Sequence, residues 1–207
     1  MNKIVKNALI LMAITLVAGI LLGAVYEITK GPIAKQEEQA KMDAYKEVFQ
    51  DADTFEEIPE DVLSGDDMRK VLDENDLAAC TVKEVLKALD AGGKTIGVVM
   101  NITDSEGYGG DINFSMGIQN DGTVNGIAIL TISETAGLGM KADTDEFKSQ
   151  FAGKKVDKFQ YTKTGAESED QIDAISGATI TTNAVTNGVN AGICLFKSIE
   201  EGGILGE

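Results

Sequence analysis

The 207-residue chain has no histidine and no tryptophan, only two prolines, two cysteines and 5% aromatic residues. Without histidine there is no Ser-His or Cys-His catalytic pair and no histidine-ligated metal. Cys80 and Cys194 alone cannot ligate an iron–sulfur cluster, which usually takes about four thiolates. Cations are also scarce. Eighteen Lys and Arg against 34 Asp and Glu leave a net charge of −16. Nucleic-acid binding needs a basic footprint, so that balance excludes it. No Gly-rich nucleotide fingerprint follows a strand-like run, which leaves no evident site for NADH.

What is present begins with Ala8–Tyr26, a run of 19 uncharged, mostly apolar residues. At ~1.5 Å rise per residue it spans roughly 28 Å as a helix, close to the hydrocarbon core of a bilayer. It is longer than the apolar part of a secretory signal, and no Ala-x-Ala site follows it. The reading is therefore one retained transmembrane helix. Lys3 and Lys6 precede the run, which places the N-terminus in the cytoplasm and the remainder outside. Gly31-Pro32 is expected to end that helix. Ile33–Gln50 reads as a second, solvated helix with Ala40, Ala44 and Val48 at i+4 spacing. Asp51–Asp76 is acidic and reads as irregular or as short helices, without the ordered spacing of a calcium loop. Thr81–Leu89 reads as a short helix closed by Gly92-Gly93.

From Lys94 the pattern turns to strands. Lys94–Thr103 is rich in Ile, Val and Met. Ile112, Phe114, Met116 and Ile118 alternate with Asn113, Ser115 and Gly117. Asn120-Asp121-Gly122 is a hairpin signal, and Val124–Thr131 is the return strand. Asp143 with Glu146 suggests a capping box for a helix Thr144–Phe151. Val156–Thr162 is a further candidate strand. Ile180–Ile199 carries Val185, Val189, Ile193, Phe196 and Ile199 on one stripe and reads as the last helix. Cys194 lies near that stripe and is expected to be buried. Whether the two cysteines pair or stay reduced is open. The fold class is α+β: an antiparallel sheet covered by helices, preceded by a single N-terminal transmembrane helix. The division read from the sequence is an anchor over 1–31, a stalk helix and acidic segment over 32–93, and a domain over 94–207.

Asp173-Ala174-Ile175-Ser176-Gly177-Ala178-Thr179-Ile180-Thr181 places a glycine-containing turn just before the last helix. Helix N-termini carry unpaired N–H groups and partial positive charge, so they suit a phosphate. Gly177 and Ala178 let a bulky group approach the backbone. The stretch resembles the flavinylation motif Asp-x-x-Ser/Thr-Gly-Ala-Thr of the FMN-binding subunits of Rnf-type and Na⁺-translocating NADH:quinone oxidoreductase complexes. Two further segments are similar to that family in order and spacing. One is Gly107-Tyr108-Gly109-Gly110-Asp111-Ile112. The other is Ser133-Glu134-Thr135-Ala136-Gly137-Leu138-Gly139, with Ala136 where the family usually has proline. The likeness covers roughly Lys94–Phe196.

The resemblance implies FMN bound covalently through a phosphoester to Thr179. It implies flavin contacts from Ser176, Gly177, Ala178, Thr181, Glu134, Thr135, Gly137, Leu138, Gly139, Met140 and Tyr108, and no catalytic residue or metal ligand. It further implies maturation by a separate flavin transferase that takes FMN from FAD. The compact length favours the G subunit of the Rnf type, an electron relay between ferredoxin and NAD⁺ that serves Na⁺ or H⁺ translocation beside membrane and peripheral partner subunits. The alternatives are the C subunit of the quinone-reducing pump, a stand-alone membrane-anchored FMN-domain reductase, or an anchored acidic scaffold without flavin.

Overall fold

The computed structural model describes residues 3–60 and 62–204. The chain divides into two compact units, Met1–Lys41 and Met42–Glu207. Met1 and Asn2, the start of the expected anchor, lie outside the described residues. Helix α1 covers Lys3–Val48, and within Lys3–Lys41 its large apolar side chains are exposed. It is long and apolar enough to cross a membrane. The expected break at Gly31-Pro32 is absent, because the helix continues through Pro32. An interior proline costs about 3 kcal/mol. Stopping and re-nucleating a helix costs about 4 kcal/mol, from a nucleation constant near 10⁻³. Continuing is the cheaper course.

The Met42–Glu207 unit is built on a five-stranded antiparallel meander in the order β1-β2-β3-β4-β5. The strands are β1 (Thr54–Glu57), β2 (Cys80–Leu89), β3 (Thr95–Asp104), β4 (Ile112–Gln119) and β5 (Val124–Thr131). Helix α2 (Gly65–Glu74) lies between β1 and β2 and starts at Ser64, whose Oγ accepts the Asp67 N–H at 3.1 Å. β2 corrects the expected helix over Thr81–Leu89. Its buried residues Val82, Val85 and Ala88 are spaced by three, which imitates a helical period, although Ala88 belongs to the opposite face of the sheet. The register shift between Val82 and Glu84 breaks the strand's period of two and puts Val82 and Val85 on the same face. β1 was not anticipated. It is a short acidic strand at the sheet edge, where charge discourages further pairing.

One sheet face packs on α4 (Thr179–Glu201). Cβ atoms at Gly188 and Gly192 would stand 2.7 Å from Phe114 Cζ and 2.5 Å from Met116 Sδ, so the helix backbone sits close on β4. Phe114, Met116, Ile102, Val185, Val189 and Leu195 belong to this core. The opposite face receives Ala44, Tyr45, Val48 and Phe49 against Ala88, Val99 and Ala128. Gly97 and Gly117 make room for Phe49 there.

The link from β5 to α4 differs from expectation in two places. The helix Thr144–Phe151 shrinks to α3 (Asp145–Lys148), preceded by a 3-10 turn over Gly139–Asp143. Asp143 is not its cap. The Thr144 hydroxyl donates back to Lys141 O at 2.7 Å, so no side chain caps α3. The strand expected over Val156–Thr162 is reduced to β6 (Gln160–Thr162), paired in parallel with β7 (Gln171–Asp173). Phe159 cannot join a ladder, because Asn190 of α4 takes its N–H at 2.7 Å and donates to its carbonyl at 3.0 Å. Both cysteines are free thiols, Cys80 buried and Cys194 half-buried.

Candidate functional site

Two tight turns bring the sequence-predicted residues together. In Ile175-Ser176-Gly177-Ala178 the Ala178 N–H donates to Ile175 O at 3.0 Å, and Gly177 has φ +79°. In Thr135-Ala136-Gly137-Leu138 the Leu138 N–H donates to Thr135 O at 3.1 Å, and Gly137 has φ +77°. A positive φ at the third position is what a type II turn requires, and glycine supplies it without strain. Ala136 occupies the second position, where proline is favoured but not needed. The turns face each other: a Cβ on Gly177 would stand 3.1 Å from Leu138 Cδ2.

Thr182 clasps the first turn. Its hydroxyl accepts the Ile175 N–H at 3.0 Å and donates to Ala178 O at 2.9 Å. This leaves Ala178 as the N-cap of α4 with no side chain capping the first turn. Thr179, the first helical residue, is half-buried and opens into a cavity of about 550 Å³. Tyr108, Glu134, Thr135, Leu138, Gly139, Gly177, Ala178, Ile180 and Thr181 complete its lining.

The floor is polar and incompletely satisfied. Thr181 Oγ1 is buried and has no hydrogen-bond partner. Buried hydroxyls are normally paired, so an orphan at a cavity wall marks a place for a ligand's polar atom. Glu134, 9% exposed, accepts the Gly109 N–H on Oε1 at 3.2 Å. A Cβ on Gly139 would come within 2.5 Å of Glu134 Oε2 and 2.7 Å of Thr181 Oγ1, so only glycine fits there. The rim is apolar. Of the six large apolar side chains exposed in the Met42–Glu207 unit among the described residues, Tyr108, Leu138 and Ile180 ring this mouth. Such a cluster on a soluble surface signals a binding site rather than chance exposure.

Three predicted residues do not line the cavity. Gly137 and Met140 support it from the turn and its 3-10 extension. Ser176 lines a neighbouring cavity of about 260 Å³ with Asp173, Gln150 and Lys141. Ile180 was missed by the sequence reading. Its signal is position: it follows Thr179 on the side of the helix away from the Val185–Ile199 stripe. A larger groove of about 760 Å³ lies among Lys155, Lys158, Asp170, Phe196 and Lys197 and contains none of the predicted residues. No group of three acidic or cysteine side chains suited to a metal occurs among the described residues.

The 550 Å³ cavity lies within the ~300–1,000 Å³ usual for cofactor sites. Glycine backbones allow close approach, a helix N-terminus suits a phosphate, and an unpartnered hydroxyl awaits a polar atom, so the residues fit a flavin mononucleotide. Comparison with known proteins points the same way. Residues 107–193 match the FMN-binding domain, and residues 1–48 match the RnfG N-terminal region. The G subunit of the Na(+)-translocating ferredoxin:NAD(+) oxidoreductase complex of Acetobacterium woodii is 32% identical over 95% of this chain and 93% of its own. The G subunit of the proton-translocating complex of Clostridium ljungdahlii is 32% identical over 86% of this chain and 83% of its own. The crystal structure of Shewanella oneidensis NqrC is similar over 57% of this chain and 61% of its own, with a TM-score of 0.48 and 22% identity, too remote to decide between branches. With that identity sustained over nearly the whole chain, the protein belongs to the family of G subunits of Rnf-type, ion-translocating ferredoxin:NAD(+) oxidoreductase complexes.

Proposed function

We propose that this chain carries FMN esterified through its phosphate to Thr179 and serves as the electron-relay subunit of a ferredoxin:NAD⁺ oxidoreductase complex that translocates ions. The observation that carries the reading is a half-buried threonine, the first residue of a helix with no side-chain cap, lining an apolar-rimmed cavity. Bound FMN would supply one-electron redox chemistry; the protein supplies retention, orientation and exclusion of water.

Each role falls to particular residues. The free N–H groups at the start of α4 and its partial positive charge favour the phosphate diester. Tyr108, Leu138 and Ile180 offer apolar walls, Gly139 and Gly177 close backbone approach, and Glu134, Thr135 and Thr181 polar contacts. Loading by a flavin transferase would form the Thr179 Oγ1–phosphorus bond and break the pyrophosphate of FAD, releasing AMP and the hydroxyl proton. A covalent tether suits a domain outside the cytoplasm, where a lost cofactor is hard to replace. That topology follows from Lys3 and Lys6 on the near side of the apolar run. Electrons then reach the flavin through membrane-embedded partner subunits, with Asn2–Ile28 as the docking segment. Asn2 itself is outside the described residues.

The test is the intact mass of the full chain expressed with and without a flavin transferase. The wild-type chain should gain one FMN less water only with the transferase. Thr179→Ala should gain nothing and lose in-gel flavin fluorescence completely while keeping its thermal midpoint. Thr182 is a poor substitute attachment point, since its hydroxyl is buried and bonded twice. An FMN mass on Thr179→Ala would overturn the assignment.

A further inference from the structure

Four residues before Tyr108 in the chain, outside the cavity lining, Asp104 forms a buried pair with Cys80 that the relay reading does not use. Cys80 and Asp104 are directly opposed in the β2–β3 ladder, and both are 0% exposed. The Cys80 thiol donates to Asp104 Oδ2 at 3.2 Å. Asp104 Oδ1 accepts the Glu106 N–H at 2.8 Å. The carboxyl group thus joins the start of β2 to the first residues after β3. Ser105 adds its N–H and Oγ to Ala79 O, at 3.2 and 3.1 Å. Gly107–Gly110 follows at once, closed by the Gly110 N–H on Gly107 O at 3.3 Å. Gly109 then meets Glu134 on the cavity floor, and its Cα is pressed against Ser133 O so closely that no side chain fits. Tyr108 stands between these anchors, 71% exposed, on the cavity rim.

We propose that Asp104, held by the Cys80 thiol, is a positioning residue that sets the Tyr108–Gly109 wall of the flavin cavity. This rests on the reading of that cavity as the flavin site. The physical argument is placement. A carboxyl buried to this degree costs several kcal/mol unless its oxygens are bonded. Here each oxygen has one donor, and one of those donors is the backbone of the loop itself. A plain apolar residue would fill the space without holding the loop. Burial raises the Asp104 carboxyl above its ordinary value, against the lowering effect of the Glu106 N–H and the Cys80 thiol. Burial first, then the Asp104 charge, pushes the Cys80 thiol up, so it remains a protonated donor. Cys80 is therefore a hydrogen-bond donor here and not a nucleophile.

The experiment uses the full chain in detergent in two forms. Amide exchange is read on a Thr179→Ala background, so it does not depend on flavin attachment. Asp104→Ala should speed exchange at Glu106 and Gly109 by about tenfold, the loss of roughly one hydrogen bond, and leave Met100 and Ile102 of β3 protected. Cys80→Ala should act in the same direction more weakly, and Cys80→Ser, which keeps a donor, should restore protection. In the flavin-loaded chain the same variants should alter flavin emission and visible circular dichroism in the same order. If Asp104→Ala does not fold, Asp104→Asn and the Cys80 pair carry the test. Unchanged exchange at Glu106 and Gly109, or equal loss across all of β3, overturns the proposal. Released loop amides with an unmoved flavin signal overturn it too. Absence of covalent flavin on the wild-type chain is a failure of the relay reading instead, and intact mass detects it first.

Discussion

The two ends of α4 are both largely buried against the domain and do opposite things. At the C-terminal end Leu195, Phe196 and Ile199 are buried in the core that also holds Leu72 of α2 and Met116 of β4. At the N-terminal end Thr181 is just as buried, yet its hydroxyl has no partner, and Ile180 is 52% exposed. The contrast separates packing from function. A core end is finished by the protein alone, whereas a site end is left polar, uncapped and open in a way that only a ligand completes. Variants at the core end should therefore lower stability and spare the flavin, and variants at the site end should do the reverse.

The largest expected effect is at the site end. Thr179→Ala removes the proposed attachment oxygen, and covalent flavin should vanish with no loss of stability. Next is the core end. Leu195→Ala leaves a cavity under α4 and should cost about 2–5 kcal/mol in chemical denaturation, with flavin loading of the folded fraction unchanged. Loss of flavin there without loss of stability would erase the contrast. Thr182→Val tests the boundary. It strips the acceptor from the Ile175 N–H and should cost about 1–3 kcal/mol, while slowing flavin loading because the turn before Thr179 is no longer clasped. The smallest effect sharpens the comparison by its sign. Thr181→Val replaces an unsatisfied hydroxyl with a methyl group, so the unloaded chain should be unchanged or gain up to about 1 kcal/mol. The loaded chain should show a shifted flavin absorption band and midpoint potential. A clear loss of stability without flavin would mean that Thr181 belongs to the core.

Much of the cavity lining was legible in the sequence through the three segments that carry the family resemblance. Thr179, Gly177, Glu134, Leu138, Gly139 and Tyr108 stand out in three short segments and line one cavity. Small residues, hydroxyls and a helix start carry local chemistry that does not depend on distant parts of the chain. The fold was legible where its period was regular, as in β4 and α4. It was misread where non-local pairing broke the period, as in β2. It was also misread where a neighbouring element took the backbone's hydrogen bonds, as at Phe159. Cys80 and Asp104 showed no pattern at all, because residues 24 positions apart meet only through strand register.

By itself the sequence determined an apolar segment long enough to span a bilayer, an acidic α+β domain and the turn chemistry before α4. Each follows from local composition, glycine placement and side-chain type. Only the tertiary structure decided that two type II turns face each other, that Thr182 is spent as a clasp while Thr181 is left unpartnered, and that the buried Asp104 carboxyl meets the Cys80 thiol. Those outcomes depend on which groups meet across the sheet and the helix, and a hydrogen bond exists only between groups that the fold has brought within about 3 Å of each other.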